Sequence, residues 1–111
     1  MEGNGKFELI VCIVNAGFSQ NVMAAARKAG ARGGSILRGR GSANPESEEF
    51  FNITIQPDKE VILILASSDS KDAILKAIYK DSGLTTSANG IAFSLPVERT
   101  TFTMPTELEE A

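Results

Sequence analysis

The most distinctive chemistry of this 111-residue chain lies between residues 27 and 41, where arginines and glycines are interspersed. This segment holds five of the eleven basic residues, namely Arg27, Lys28, Arg32, Arg38 and Arg40. Side chains alternate along a strand, so Arg38 and Arg40 share a face if residues 35–40 are extended. Two neighbouring guanidinium groups match the geometry of a phosphate group. The spacing therefore indicates an anion site on this strand.

Glycines in the same segment would allow a ligand to approach the main chain. Gly33, Gly34, Gly39 and Gly41 carry no side chain, which leaves their N–H groups accessible. A structural alternative stays open, because arginine clusters also arise from ion pairs. The partners would then be the carboxylates of a second copy or those of the loop that follows, Glu46, Glu48 and Glu49.

A second candidate segment, residues 82–90, is rich in small and hydroxylated residues. Its hydroxyl groups and turn backbone suit an anion or the edge of an adenine base, although such residues also form ordinary loops. The glycines at 33 and 34 are not a dinucleotide-binding fingerprint, because they follow a helix instead of opening one. The sequence pattern of a P-loop does not occur in the chain.

The composition excludes several classes of chemistry. The chain has no histidine, so the usual general base and the commonest metal ligand are missing. No nucleophile stands beside a base in the sequence. We therefore expect a protein that is not an enzyme and that holds no metal or permanent cofactor. The net charge of −3 argues against a nucleic-acid partner.

The single cysteine and the lengths of the apolar runs bear on the compartment. Cys12 cannot form an intrachain disulfide, and its apolar neighbours indicate a small buried side chain. No apolar run reaches the roughly 18 residues of a membrane span, and the first residues lack the pattern of a signal peptide. We expect a cytoplasmic protein that does not insert into a membrane.

The elements that would position the candidate residues follow from the hydrophobic patterns. Four strands are predicted at 7–14, 34–40, 60–66 and 91–97, and two helices at 19–29 and 71–80. Ser19 is expected to cap the first helix and Gly30 to end it. The order βαββαβ is typical of an α+β ferredoxin-like sandwich, in which two helices lie on one face of a four-stranded antiparallel sheet.

One domain is expected at residues 7–100, between a flexible N-terminus (1–6) and an acidic C-terminal tail (101–111). Residues 41–58 form a polar loop and its return arm, in which Phe50 and Phe51 are either core anchors or the tip that docks a partner. The strands at 7–14 and 60–66 are apolar on both faces, and two helices can cover only one. We therefore predict a homo-oligomer whose sheets face one another.

Two blocks of the sequence resemble a known family. The block Ala-Arg-Lys-Ala-Gly-Ala-Arg-Gly-Gly-Ser-Ile-Leu-Arg-Gly-Arg-Gly, ending at Gly41, resembles the PII nitrogen-regulatory signal proteins in their PII-like branch. The segment from Ile91 to Glu98 is similar to the closing strand of that family. The resemblance implies a homotrimer that binds an adenine nucleotide (ATP, ADP, AMP or a cyclic nucleotide) between subunits. It also implies a regulated partner, such as a membrane transporter or an enzyme.

Residue roles also follow from the resemblance. Residues 33–35 match the strand that lines the adenine, 40 and 41 match the base of the docking loop near the phosphates, and 88–90 match a phosphate loop. With Arg38 from the arginine pair, the expected nucleotide-binding residues are Gly33, Gly34, Ser35, Arg38, Arg40, Gly41, Ala88, Asn89 and Gly90. The expected partner-binding residues of the loop are Glu46, Glu48, Glu49, Phe50 and Phe51.

The sequence departs from the family pattern at the phosphate contacts. Ile91 stands where the family's phosphate loop has a lysine, and Phe102 and Met104 stand where two arginines are expected. Either Arg38 and Arg40 compensate for these changes, or the effector is less charged, such as AMP or a cyclic nucleotide. The alternative is an interaction module that keeps the fold and has lost nucleotide binding.

Overall fold

The computed structural model describes residues 6–42 and 58–102, which form six elements. In chain order they are β1 (Phe7–Asn15), α1 (Ser19–Lys28), β2 (Ser35–Arg40), β3 (Asp58–Ser67), α2 (Lys71–Ser82) and β4 (Ile91–Val97). The predicted βαββαβ order is confirmed. The bounds differ from the prediction by at most two residues, because the hydrophobic pattern locates an element better than it locates the element's ends.

The four strands form one antiparallel sheet in the order β2-β3-β1-β4. The two most apolar strands, β1 and β3, therefore occupy the centre, and β2 and β4 are the edges. The register places Val11 of β1 opposite Leu63 of β3 on one side and Phe93 of β4 on the other. This arrangement is the predicted ferredoxin-like sheet.

One face of the sheet carries the core. Alternate residues of the central strands, such as Ile10, Cys12 and Ile64, are fully buried beneath the two helices. The helices contribute the buried side chains Val22, Met23, Ala26, Ile74 and Ile78. The interpretation of Cys12 as a small buried apolar residue is confirmed, because it sits in the middle of this core.

The other face, which we call the open face, is apolar and is not covered by any of the six elements. Its central residues, including Leu9, Val11 and Leu63, are only half-buried. Towards the edges the exposed fractions reach 51% for Leu37, 43% for Phe93, 49% for Leu95 and 53% for Ile91. Exposed apolar patches of this kind mark interaction surfaces in soluble proteins.

The C-terminus of α1 ends on a glycine. Gly30 adopts a φ of +117°, its N–H donates to the Arg27 carbonyl over 3.1 Å, and the Ala31 N–H donates to the Ala26 carbonyl over 2.9 Å. These paired bonds form a Schellman motif, and they confirm Gly30 as the predicted stop.

The expected cap at the N-terminus of α1 is replaced by another residue. Ser19 is the first helical residue, and no side chain of the helix start supplies a cap. The carboxylate of Glu60 in β3 does so instead, accepting the N–H groups of Gly17 and Ser19 over 2.9 and 3.1 Å. Local sequence favours serine here, but a carboxylate brought by the sheet is the stronger acceptor.

Some predictions fall outside the described residues. These include the extended arm at 50–55, almost all of the 41–58 loop, the acidic end of the tail, and the five partner-binding residues Glu46, Glu48, Glu49, Phe50 and Phe51. Within the part that the structure describes, no helix is long and apolar enough to cross a membrane.

Candidate functional site

A cleft of about 810 Å³ opens at the end of the sheet where α1 leads into β2. We call it the cleft, and its lining residues are Phe7, Leu9, Gly30, Ala31, Arg32, Gly33, Gly34, Ser35, Leu63, Leu65, Ala66, Ser67, Ser70 and Phe102. Its volume lies in the range of small-molecule sites. Three residues predicted to line an adenine, Gly33, Gly34 and Ser35, are among them.

The two adjacent glycines of the cleft, Gly33 and Gly34, have different structural roles. A Cβ atom at Gly34 would lie 2.9 Å from the Leu63 carbonyl oxygen and 3.1 Å from the Met23 sulfur, so glycine is needed for β2 to approach β3 and α1. A Cβ atom at Gly33 would meet no described atom within 4 Å. Gly34 therefore serves packing, whereas Gly33 leaves space in the cleft.

The charge and aromatic character of the cleft come from residues far apart in the chain. Arg32 is the one charged residue among the described residues that line it. The guanidinium carbon of Arg32 lies 6.0 Å from the centroid of the Phe102 ring. That ring meets Phe7 edge-on, with the centroids 5.5 Å apart and an interplanar angle of 76°. Sequence analysis did not include these three residues in the site, because only the fold brings residues 7, 32 and 102 together.

Arg38 and Arg40 lie elsewhere. They share a face of β2, as the alternation predicts, and they stand opposite Glu60 and Asp58 of β3. That face is the helix-covered one, whereas Ser35, an odd number of residues away, points to the open face. The two arginines instead line a small depression of about 310 Å³ with Gly39, Asp58 and Lys59.

Carboxylates lie beside the two arginines and reduce the positive charge of the predicted anion site. The pKa of Glu60 is lowered, first by the hydrogen bond from the Gly17 N–H, with further contributions from Ser19 and from the charge of Arg38, while partial burial opposes the shift. Arg38 therefore acts on a carboxylate of its own sheet. The acids beside the arginines in the described residues are Asp58 and Glu60, and the acids predicted for this role, Glu46, Glu48 and Glu49, lie outside them.

The predicted phosphate loop, Ala88 to Gly90, is tied to the end of β1 by Asn15. The backbone N–H of Asn15 donates to the Ala88 carbonyl over 2.9 Å, and its side-chain amide donates to the Ser87 carbonyl over 3.1 Å. Its side-chain oxygen accepts the Lys59 ammonium over 2.7 Å. One asparagine thus joins the turn before β4 to the start of β3.

The turn itself is closely packed. Ala88 is 1% exposed, Asn89 has a φ of +50°, and the Gly90 N–H donates to the Ser82 carbonyl over 2.8 Å. A Cβ atom at Gly90 would overlap that carbonyl, so glycine is needed there for packing. Residues 88–90 precede β4 on one edge of the sheet, and Arg38 and Arg40 lie in β2 on the other. A single subunit therefore does not bring these two groups together.

The residues that the structure describes offer neither a cluster of metal ligands nor a reactive thiol. Within residues 6–42 and 58–102 no group of three or more histidine, cysteine or acidic side chains is placed to hold a metal ion. Burial raises the pKa of the Cys12 thiol to about 11, so the reactive thiolate form is scarce at neutral pH.

Comparison with known proteins identifies the fold of the chain but assigns it to no sequence family. No family model matches the sequence, and no curated protein matches it either. Among solved structures it is similar to a PII-like signalling protein from Thermus thermophilus, with a TM-score of 0.63 and 14% identity over 83% of this chain and 86% of that chain. It is also similar to the PII protein of Arabidopsis thaliana bound to citrate, with a TM-score of 0.62 and 23% identity over 85% of this chain and 77% of that chain. The chain is an α+β protein with the fold of the PII signalling proteins.

Proposed function

We propose that the chain is a PII-like signalling protein. In this proposal three copies form a homotrimer, an adenine nucleotide binds between neighbouring copies, and residues 41–58 regulate a partner protein in the cytoplasm without inserting into a membrane. The observation that carries the proposal is the cleft. It is lined by the residues, Gly33 to Ser35, that the resemblance assigns to the adenine, in a chain that has the PII fold.

The open face supports self-association. Apolar side chains run across all four strands of this face, and none of the described elements covers them. Burying them against further copies gains roughly 25 cal/mol for each square ångström removed from water. Association would also bring an edge of each sheet close to a neighbouring copy. Arg38 and Arg40 of β2 in one copy could then form one site with residues 88–90 of the next.

Size-exclusion chromatography with light scattering tests the assembly. We expect about three times the 11.8 kDa of one chain. Phe93→Glu places a charge on the open face and should yield smaller species, because a charge buried at an interface is strongly destabilising. The matched control is Tyr79→Glu, on the exposed side of α2, where the side chain is 71% exposed. A monomeric wild-type protein would overturn the trimer.

Calorimetric titration tests the effector. ATP, ADP, AMP, cyclic AMP and a cyclic dinucleotide are each added to the wild type, and at least one should release heat. Citrate belongs in the same series, since the similar Arabidopsis protein binds it. Gly33→Leu should abolish the heat, because Gly33 lines the cleft, a Cβ atom there meets no described atom within 4 Å, and a bulky side chain would take up space that the ligand needs. If none of the nucleotides binds, the nucleotide-sensing proposal fails.

The second candidate function is an interaction module without an effector. It is favoured by Phe102, which stands where the family resemblance places an arginine and which packs on Phe7. Pull-down from cytosolic and membrane fractions, with and without nucleotide, separates the two. A partner retained equally in both conditions supports the module, whereas nucleotide-dependent retention supports signalling. Changing Glu46, Glu48 and Glu49 to serine tests whether the loop makes the contact.

A further inference from the structure

Lys59 lies where the chain, having left the sheet after β2, returns to it. It is the second residue of β3, and its side chain is half-buried. Its ammonium group donates to the side-chain oxygen of Asn15 over 2.7 Å. Asn15 is also its direct partner in the register, at the last paired position of β1. The end of β1 therefore holds the side chain with which β3 begins.

The aliphatic part of the Lys59 side chain passes close to Gly41, where the chain leaves the sheet. A Cβ atom at Gly41 would lie 2.8 Å from Cε and 3.3 Å from Cγ of Lys59. Glycine is thus the residue that allows the lysine to pass the end of β2 and reach Asn15. Gly39 in the same strand differs, because a Cβ atom there would make an ordinary contact of 3.8 Å with a methyl group of Val61. Lys59 is therefore in contact with both ends of the 41–58 segment.

Asn15 extends this contact to the turn before β4. The nitrogen of its side-chain amide donates to the Ser87 carbonyl over 3.1 Å, and its backbone N–H donates to the Ala88 carbonyl over 2.9 Å. The oxygen that binds Lys59 and the nitrogen that binds Ser87 belong to one planar amide group, so they move together. One small rigid group therefore connects the start of β3 to the turn on the other side of β1.

We propose that Lys59 and Asn15 form a relay within each subunit, which couples the return of the 41–58 segment to the turn at residues 86–90. A partner that displaces Lys59 when it binds this segment would thereby loosen the turn, and by linkage a change in the turn would act on the segment. The coupling requires no bound nucleotide. It can therefore fail while the proposed function stands, and it can hold if no nucleotide binds.

Hydrogen exchange of the 111-residue chain without added ligand measures the turn directly. The reporter amides are those whose N–H groups donate to carbonyls in or beside the turn, namely Asn15 to Ala88, Asn89 to Thr86, and Gly90 to Ser82. Exchange of such amides follows the population of locally opened states, so a loosened turn exchanges faster. The amides of the central strands serve as the reference for global stability.

Gly41→Ala is the sharpest variant, because the three atoms nearest to its methyl group all belong to Lys59. The flexible end of the lysine can move aside at little cost in stability, but it then leaves Asn15. We expect the reporter amides to exchange about three- to tenfold faster, the effect of losing one charge-assisted hydrogen bond. Gly39→Ala is the matched control on the same strand, and it should leave their exchange unchanged within about twofold.

Lys59→Met removes the ammonium group and keeps the apolar side chain, so it should speed the reporter amides as Gly41→Ala does. Lys80→Met is the control, because Lys80 is an exposed lysine in the last turn of α2 and is closer to the turn along the chain. In the Asn15→Ala background the relay is already broken. Lys59→Met should then add less than about a twofold change, whereas independent effects would multiply.

The outcomes decide the proposal in either direction. Faster exchange confined to the reporter amides in both Gly41→Ala and Lys59→Met supports the relay. Unchanged reporters in these two variants refute it, and so does a full additional effect of Lys59→Met in the Asn15→Ala background. If the central strands accelerate by the same factor as the reporters, the variants act on global stability, and the relay is likewise refuted.

Discussion

The two ends of the sheet differ in how their polar groups are used. At the end where β3 begins, Glu60 caps α1, Lys59 bonds to Asn15, and Asn15 holds the turn before β4. At the other end, the cleft presents Arg32, an apolar floor and the unfilled space beside Gly33. The groups named at the first end are hydrogen-bonded within the chain, whereas unfilled space remains at the second.

This difference shows that charges concentrated in the sequence need not line the larger cleft. Arg38 and Arg40 are the most conspicuous pair in the chain, yet the sheet places them opposite Glu60 and Asp58. Arg32 is less conspicuous, and it is the one that lines the larger cleft. The variants below test whether the first end is structural and the second is not.

The largest effect on stability is expected from Glu60→Ala. The change leaves the N–H groups of Gly17 and Ser19 without their carboxylate acceptor, and we expect the free energy of unfolding to fall by about 2–3 kcal/mol. Urea denaturation at pH 7 measures it, with Glu98→Ala, an exposed acid after β4, as the control.

The same carboxylate predicts a pH dependence. The folded pKa of Glu60 lies below the value of about 4.3 that an unfolded glutamate has. Its contribution is therefore complete above the unfolded pKa and is lost as the pH falls through the folded pKa. The stability difference between the wild type and Glu60→Gln should shrink below about pH 4. A difference that persists unchanged in acid would mean that the carboxylate charge does not stabilise the cap.

Gly34→Ala should have the next largest effect. Its methyl group would press on the Leu63 carbonyl, which is part of β3 and cannot move aside, and we expect a loss of about 2 kcal/mol. Thermal and urea unfolding measure it. Unchanged stability would show that β2 can shift away from α1, and the packing role of Gly34 would then be wrong.

Asn15→Ala should cost about 1 kcal/mol, since it removes bonds to Ser87 and from Lys59 that are partly accessible to water. Asn15→Asp separates the two contacts, because it keeps an acceptor for the Lys59 ammonium and loses the donor to Ser87. Hydrogen exchange of the 86–90 amides should increase in both variants. Exchange that is unchanged would show that Asn15 does not hold this turn.

The smallest effect is expected from Gly33→Ala. The methyl group meets no described atom within 4 Å, and the φ of Gly33 is not in the left-handed region, so stability should change by less than about 0.5 kcal/mol. Measured beside Gly34→Ala, it contrasts two adjacent glycines directly. A loss as large as that of Gly34→Ala would mean that the space beside Gly33 is filled in the assembled protein.

Much of the fold could be predicted because its signals are local. The alternation of apolar residues located the strands, the alanine-rich segment located α1, and Gly30 marked its end, since each of these depends on residues within one or two turns. The cap of α1 could not be predicted in the same way. Glu60 is 41 residues from Ser19 and reaches it only through the pairing of β1 with β3.

By itself, the sequence determined the order of elements, the burial of Cys12, and the presence of more apolar strand surface than two helices can cover. The tertiary structure decided which polar groups are engaged. It set Arg38 and Arg40 against acids of β3, and it gathered residues 7, 32 and 102 around one cleft. The physical reason is that hydrophobic periodicity depends on residues close together in the chain. A site instead depends on the register between paired strands, which no single segment determines.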